Sequence, residues 1–356
     1  MLVSRWTHAV RWPGWTPRRP PTKATTGESP FMPTRRSFLH ATSTTLESLA
    51  RSFDFAWSAA ASLWSTSYAL DGFLRFHPMA TNEDIEARFV TGTPYKMKGG
   101  NLRSFLVPDA KKNIDSDLAA LLLMSTCSLF EGWISAAVAE IAPNLSDKDR
   151  DGIEKGLQFP TTIRKGIASG VSVYLPLAVG EISNDMMDTF CAALSEKDKY
   201  AKMNVEQHLV AYRAFKEARN ALVHRGGIAN KKTENAIAEY QQRVPDAASL
   251  GVKRRPSIRP TQDGQKVHVT VEDVVGFSDV VIRLITTYDA ELSSSVRAEH
   301  LLAKRVLARY PLGLSSERGR DLSDRKLIGL LHEANLPTPK HMSKVRNLLK
   351  RLDVMK

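Results

Sequence analysis

Cysteine is nearly absent: Cys127 and Cys191 are the only two in 356 residues. Two thiols cannot build a disulfide framework, nor a zinc site on their own. Both fall in apolar stretches, where a thiol behaves as a small core residue. Their scarcity suits a reducing compartment, and the expected location is cytoplasmic. The chain also lacks an HExxH motif, and its nine histidines are spread singly. The expectation is a site that needs no metal and no cofactor. There is no run of about 18 consecutive apolar residues, so no transmembrane helix and no membrane partner are expected. The nearest approach, Phe53–Leu74, is interrupted by Asp54, Asp71 and several serines.

Tryptophan is scarce beyond the first quarter. Five of the six (Trp6, Trp12, Trp15, Trp57, Trp64) lie within residues 1–78. Pro and Arg cluster between Pro13 and Arg36 with no helical or strand period. Met79-Ala80-Thr81-Asn82 then reads as a protein start. Residues 1–78 are therefore expected to be a disordered leader or an upstream extension. Thr34-Arg35-Arg36-Ser37-Phe38-Leu39 resembles a twin-arginine export signal. The uncharged apolar segment that such a signal needs is missing, because Glu47, Arg51 and Asp54 follow.

What the chain has in excess is positive charge, net +12, unevenly placed. Residues 1–40 carry seven Lys/Arg against one acid. Residues 297–356 carry fourteen against six, which leaves the body between them slightly acidic. Basic ends suit a polyanion, or simply a solubilising surface.

After a lead-in over 79–112 with one short helix, periodicity predicts an all-α domain over 113–309. Asp115–Glu140 is apolar on all sides, the mark of a buried helix. Between Asp117 and Glu140 its only charge is Glu131, which demands a cation or donor elsewhere in the chain. Ser146–Gln158, Asn184–Lys197, Asn204–Arg225 and Lys231–Val244 read as further helices. Pro160–Val173 reads as a short helix and turns. Asp263-Gly264 and the alternation Lys266–Val271 predict a small β-hairpin over 257–270. One long helix is predicted from Val271 to about Arg309. A small basic unit over 320–356 holds two helices, Asp324–Ala334 and Lys340–Leu352, around a Pro-rich turn. This is either a helix-turn-helix or a helical hairpin docked on the body. Lys340, Lys344 and Arg346 are its candidate nucleic-acid contacts.

One stretch carries chemistry: Glu217-Ala218-Arg219-Asn220-Ala221-Leu222-Val223-His224-Arg225-Gly226-Gly227. The glycines end the helix. Asn220 and His224 are spaced i, i+4 and share a face, and the long Arg219 side chain can swing toward it. Histidine can move protons near neutral pH, and an arginine fork suits a phosphate. RNA transesterification needs little more: a base for the 2′-hydroxyl, a cation for the phosphoryl oxygens and an acid for the 5′-oxygen. Arg225, next to the histidine, is a candidate phosphate contact.

This stretch resembles the signature of the HEPN superfamily, an Arg and a polar residue followed by His four to six positions on. "EARNALVHRGGIANKKT" is most similar to the bacterial RiboL-PSP-HEPN-type group. The resemblance covers about 115–288. It implies a HEPN-like helical bundle, here with a β-hairpin insertion and a C-terminal helical pair. It also implies a metal-independent endoribonuclease, a toxin or antiphage-defence effector, that leaves 2′,3′-cyclic phosphate and 5′-hydroxyl ends. Arg219 and His224 would be the catalytic pair and Asn220 the accompanying polar residue. Glu131 joins them by the burial argument. The implied partners are RNA, a second copy of the chain, and an antitoxin or defence-system protein. Some HEPN domains have lost catalysis and only bind RNA, DNA or protein, so the non-catalytic module is the alternative. A transcriptional regulator using the terminal helix pair is a third reading.

Overall fold

The computed structural model describes residues 36–90, 102–106, 110–314 and 322–355. Among these residues the fold is all-α, with one short two-stranded antiparallel sheet. The organising element is helix α3 (Ala110–Ile141). Leu122, Leu123, Cys127, Phe130, Trp133, Ile134 and Val138 are all buried along it. Helices α1 (His40–Phe76), α8 (Val205–His224) and α10 (Val271–Leu292) pack around it. The apolar-all-round reading is met on three sides. The fourth side is open, with Leu121, Ser128, Gly132 and Ser135 exposed. Contrary to the sequence expectation, Ile114–Ile141 is long and apolar enough to cross a bilayer, by length and composition alone. The sequence reading counted uninterrupted apolar residues, whereas mean hydropathy tolerates the scattered Ser, Thr and Gly and the single Glu131.

An aromatic relay ties these helices together. Phe130 lies 4.7 Å from Tyr212, Trp133 6.0 Å from Tyr288, and Phe215 4.5 Å from Phe277, ring centre to ring centre. Each such pair adds about 0.5–1.5 kcal/mol beyond the area it buries. Buried hydroxyls find acceptors: Tyr288 donates to the Leu157 carbonyl at 3.1 Å and Tyr240 to that of Pro256 at 2.6 Å. The relay therefore fixes α8, the helix that carries the motif, against α3 and α10.

The expectation of a leader over 1–78 fails for residues 36–78, because α1 is part of the fold. Leu49, Phe53 and Leu70 are buried, and Phe38 and Leu39 are fully so. The first turn of a helix leaves backbone N–H groups without intrahelical partners. Here two carboxylates take them. Asp289 of α10 accepts from Phe38 N at 2.8 Å and Leu39 N at 2.7 Å, and also from the Thr42 hydroxyl. Glu140 of α3 accepts from His40 N and Ala41 N, both at 3.1 Å, and is bridged by Arg305. The negative charges also complement the positive end of the α1 dipole. The twin-arginine-like stretch is thus structural from Ser37 to Leu39. No local pattern announces this role, because α1's partners lie about 100 and 250 residues away.

Several boundaries moved. Two short helices, α2 (Asn82–Phe89) and a 3-10 turn (Leu102–Leu106), occupy the lead-in. Helix α4 (Asp147–Gly156) is capped by Ser146. The hairpin is not at 257–270. It is β1 (Thr162–Arg164) paired with β2 (Ile167–Ser169), where turns and a short helix were expected. Lys165 and Gly166 make its turn, both at positive φ. Helix α5 (Val171–Val179) follows. Segment 184–195 is helical with one π turn, running through α6 (Asn184–Met186) and α7 (Ala192–Ser195).

Apart from a turn in which Gln265 and Gln262 bond each other, residues 264–267 do not pair with a neighbouring strand. They pair with the loop that leaves α8: Val267 N donates to the Gly227 carbonyl at 2.8 Å, and Ala229 N to that of Gln265 at 2.9 Å. The alternating pattern forms no strand of its own: one isolated bridge, Lys266 with Ile228, joins it to the loop ahead of α9 (Lys231–Arg243). The long helix expected over 271–309 is broken into α10 and α11 (Val296–Arg309). Ser293, Ser294 and Ser295 each return a hydroxyl to the carbonyl three residues back. Ser295 also caps α11 by accepting from Ala298 N at 3.1 Å. Serine's competition with the helical backbone explains the break.

The basic C-terminal unit comprises α12 (Asp324–Glu333) and α13 (Met342–Arg351). Leu327, Leu331, Val345, Leu348 and Leu349 are fully buried and continuous with the main core. Its cations face acids of the body. Arg351 bonds Asp185 and Glu299 at 2.8 Å, and Glu299 is almost fully buried. Burial raises the Glu299 carboxyl, but Arg351 and Ser183 outweigh that and hold it below the usual range. Arg351→Ala should therefore loosen this unit at a cost of about 1–2 kcal/mol, below the 3–5 kcal/mol of a fully buried pair because Arg351 is half exposed. Hydrogen exchange over 322–355 should accelerate. Unchanged exchange there would show that apolar packing alone holds the unit.

Candidate functional site

The motif helix ends as its sequence requires. Arg225 N and Gly227 N both donate to the Ala221 carbonyl at 3.0 Å. Gly226 and Gly227 take φ of 59° and 86°, the left-handed region that glycine enters without strain. The loop is then pinned by the 264–267 segment. His224, in the last turn, is therefore presented on a rigid stem. Its imidazole is exposed and makes no hydrogen bond or ion pair among the described residues. Arg225 is exposed beside it, and Asn220 is half-buried one turn back.

Arg219 goes the other way. Its Nη2 donates to both oxygens of Glu131 on α3, at 3.0 and 3.2 Å. This meets the demand that the lone charge of α3 placed on the rest of the chain. The same geometry corrects the expectation that Arg219 swings toward His224. Five residues on a helix are about 140° apart, and the half-buried carboxylate wins the guanidinium.

Sequence reasoning missed Lys216. Its ammonium lies 2.9 Å from Glu131 Oε1 and 2.7 Å from Gln158 Oε1. It also sits over the Phe159 ring at 5.5 Å and the Tyr212 ring at 5.7 Å. The signal was available: Lys216, Asn220 and His224 follow i, i+4, i+8 and form one row along α8. One carboxylate thus serves two cations, leaving a half-buried cluster of net positive charge in line with a free imidazole.

Burial pushes the Glu131 carboxyl up, but Lys216, Arg219 and the Tyr212 hydroxyl more than reverse it and hold it below the ordinary 4.5. A depressed carboxyl stabilises the fold above its unfolded value, and that stabilisation is lost as pH falls through the folded one. Melting curves of the wild type and Glu131→Gln should therefore differ by a constant gap from pH 7 to about 5 and converge below the ordinary 4.5. A gap that persists in acid would mean that packing, not charge, sets the difference. Nearby Cys127 is inert: burial pushes its thiol up to about 12 despite the adjacent Arg219.

The proposed nucleic-acid contacts of the C-terminal unit are already engaged. Lys340 pairs with Glu196, Lys344 with Asp188, and Arg346 with Asp324 and the Leu322 carbonyl. Lys340 and Lys344 clamp the unit to the body and Arg346 braces the unit internally, so none of the three is a free binding contact. Of the candidate contacts named from sequence, Arg225 alone is both exposed and beside His224.

The acids Asp147, Asp149 and Asp151 lie on α4, where Asp147 and Asp151 share a face and Asp149 falls on the opposite side. Asp149 caps with Ser146, and Asp151 pairs with Lys155. Among the described residues no group of three or more His, Cys, Asp or Glu side chains converges. Comparison with family models, curated proteins and solved structures returns no match.

Proposed function

We propose that this chain is a metal-independent endoribonuclease of HEPN type that acts as a homodimer. One observation carries the reading: a single rigid helix bears a cation pair held by Glu131 and, at its exposed end, an unpaired histidine. His224 supplies the proton transfers, taking the 2′-hydroxyl proton as base and protonating the leaving 5′-oxygen as acid. The attacking oxygen closes onto phosphorus, the bond to the 5′-oxygen breaks, and a 2′,3′-cyclic phosphate and a 5′-hydroxyl result. Charge building on the phosphoryl oxygens is met by cations that do not have to reorganise, since Glu131 fixes them in advance. Asn220 offers a neutral amide on the same row. Arg219 and His224 diverge within one chain, so pairing of two motif helices in a dimer is the arrangement that brings cation and imidazole to one phosphate. A toxin or antiphage-defence role follows from the resemblance alone, and a controlling antitoxin or defence-system protein belongs to the same proposal.

Single-stranded RNA incubated with the full-length chain in EDTA tests this. Products ending in a cyclic phosphate are expected, and sedimentation should show a dimer. Intact RNA at every protein concentration would overturn catalysis. The alternative, a module that binds without cutting, is favoured by one observation: Arg219 is mostly buried and already engaged with Glu131.

A further inference from the structure

Phe159 is a large aromatic residue left 40% exposed beside the cation cluster, and it takes no part in the main core. Its backbone is nonetheless fixed. The Phe159 carbonyl accepts from Val171 N at 3.1 Å, and two residues on, Thr161 bonds Glu206 of α8 through both its N–H and its hydroxyl. The ring is therefore anchored at its backbone, part-exposed, with the Lys216 ammonium 5.5 Å from its centre. An ammonium has three donors. Two of those on Lys216 are taken, by Glu131 and Gln158, which leaves one for an incoming acceptor. The side chain keeps 19% of its surface open. An exposed aromatic face next to a spare cationic donor is the recurring means of holding single-stranded nucleic acid, the base on the ring and the phosphate on the cation.

We propose that Phe159 and Lys216 form a nucleotide subsite that takes an unpaired base by stacking and its flanking phosphate by hydrogen bonding. The subsite lies along the row that ends at His224, about 12 Å away by helical rise. It therefore holds a nucleotide next to the one being cleaved. A base can stack on Phe159 only if it has left its own helix, so the subsite selects single-stranded over duplex RNA. This inference rests on the ribonuclease reading and specifies the substrate of that same site.

The test is binding, measured by fluorescence anisotropy on the full chain carrying His224→Ala, in EDTA. The probes are a labelled oligouridylate and the same strand annealed to oligoadenylate. Adding Phe159→Ala should weaken single-strand binding about 5- to 150-fold, the usual cost of losing one stacked base, and leave duplex binding unchanged. Phe159→Leu keeps apolar bulk without the π face and should lose as much, whereas Phe159→Trp should retain affinity. Lys216→Gln should weaken binding and flatten its salt dependence. If the parent binds the oligouridylate and the Phe159→Ala and Phe159→Leu proteins bind it equally well, the subsite is wrong while the ribonuclease reading stands. If the parent binds neither probe, both fall.

Discussion

Replacing His224 with alanine is expected to slow RNA cleavage by about 10²- to 10⁴-fold, the usual contribution of a positioned acid or base. The thermal midpoint should hardly move. The imidazole is exposed and makes no hydrogen bond or ion pair among the described residues, so truncating it removes no packing and orphans no partner. Surface changes of this kind stay within about 0.5 kcal/mol. This separation of activity from stability makes His224 the cleanest probe of the proposed chemistry. Arg219→Ala is a poorer one, since it also strips Glu131 of its two-oxygen contact and should lower both activity and stability. Cleavage by His224→Ala at the wild-type rate would remove the histidine from the mechanism. A variant that is inactive but also melts early would leave a structural explanation in place of the catalytic one.

Asp289→Ala should be the most damaging single change to the fold, at about 3–5 kcal/mol. It leaves the Phe38 and Leu39 N–H groups and the Thr42 hydroxyl without their acceptor, in a site where Asp289 is only 2% exposed. Each buried orphan costs about 1–3 kcal/mol, and neighbours do not add fully. Thr42 also accepts from the Trp133 indole at 2.9 Å, so the loss reaches the aromatic relay. Burial pushes the Asp289 carboxyl up, against the backbone donors that hold it down, so removing the charge recovers part of the cost. Asp289→Asn keeps one acceptor oxygen and should therefore be milder than alanine. Chemical denaturation gives the number, and hydrogen exchange over 38–76 shows where it is felt. If Asp289→Ala lies within about 1 kcal/mol of wild type, the anchor is not what holds α1. By the same argument, a protein started at Met79 loses α1 altogether and should not fold cooperatively. Activity is therefore measured on the whole chain.

The elements that could be read from sequence were those whose causes are local. Ser146 before an acidic turn, Gly226-Gly227 after His224, and the apolar spacing of α8 and α9 all announce themselves within a few residues. Burial of α3 was legible from its composition, and so was the need of Glu131 for a distant cation. That Arg219 was a natural candidate for that cation followed from its place in the motif. The identity of the second cation did not, because Lys216 is an ordinary lysine until Gln158 and Phe159 are folded against it.

Two of the misreadings share one cause, a deciding partner far along the chain. The 264–267 stretch was expected to pair within its own hairpin, and only the fold supplied the α8 loop as its neighbour. The serines at 293–295 were absorbed into a long helix, because their return bonds compete with a helical pattern that is otherwise continuous. The first described helix was set aside because nothing near Ser37–Leu39 reveals that two carboxylates, on α3 and α10, await its free N–H groups. By itself, the sequence determined that the protein is helical, where its central helix is buried, and which turn bears Arg219, Asn220 and His224. Only the tertiary structure decided which way Arg219 turns and that Lys216 replaces it on the row of His224. The physical reason is that a half-buried carboxylate binds whichever cations packing brings to it, and packing depends on contacts that no local pattern encodes.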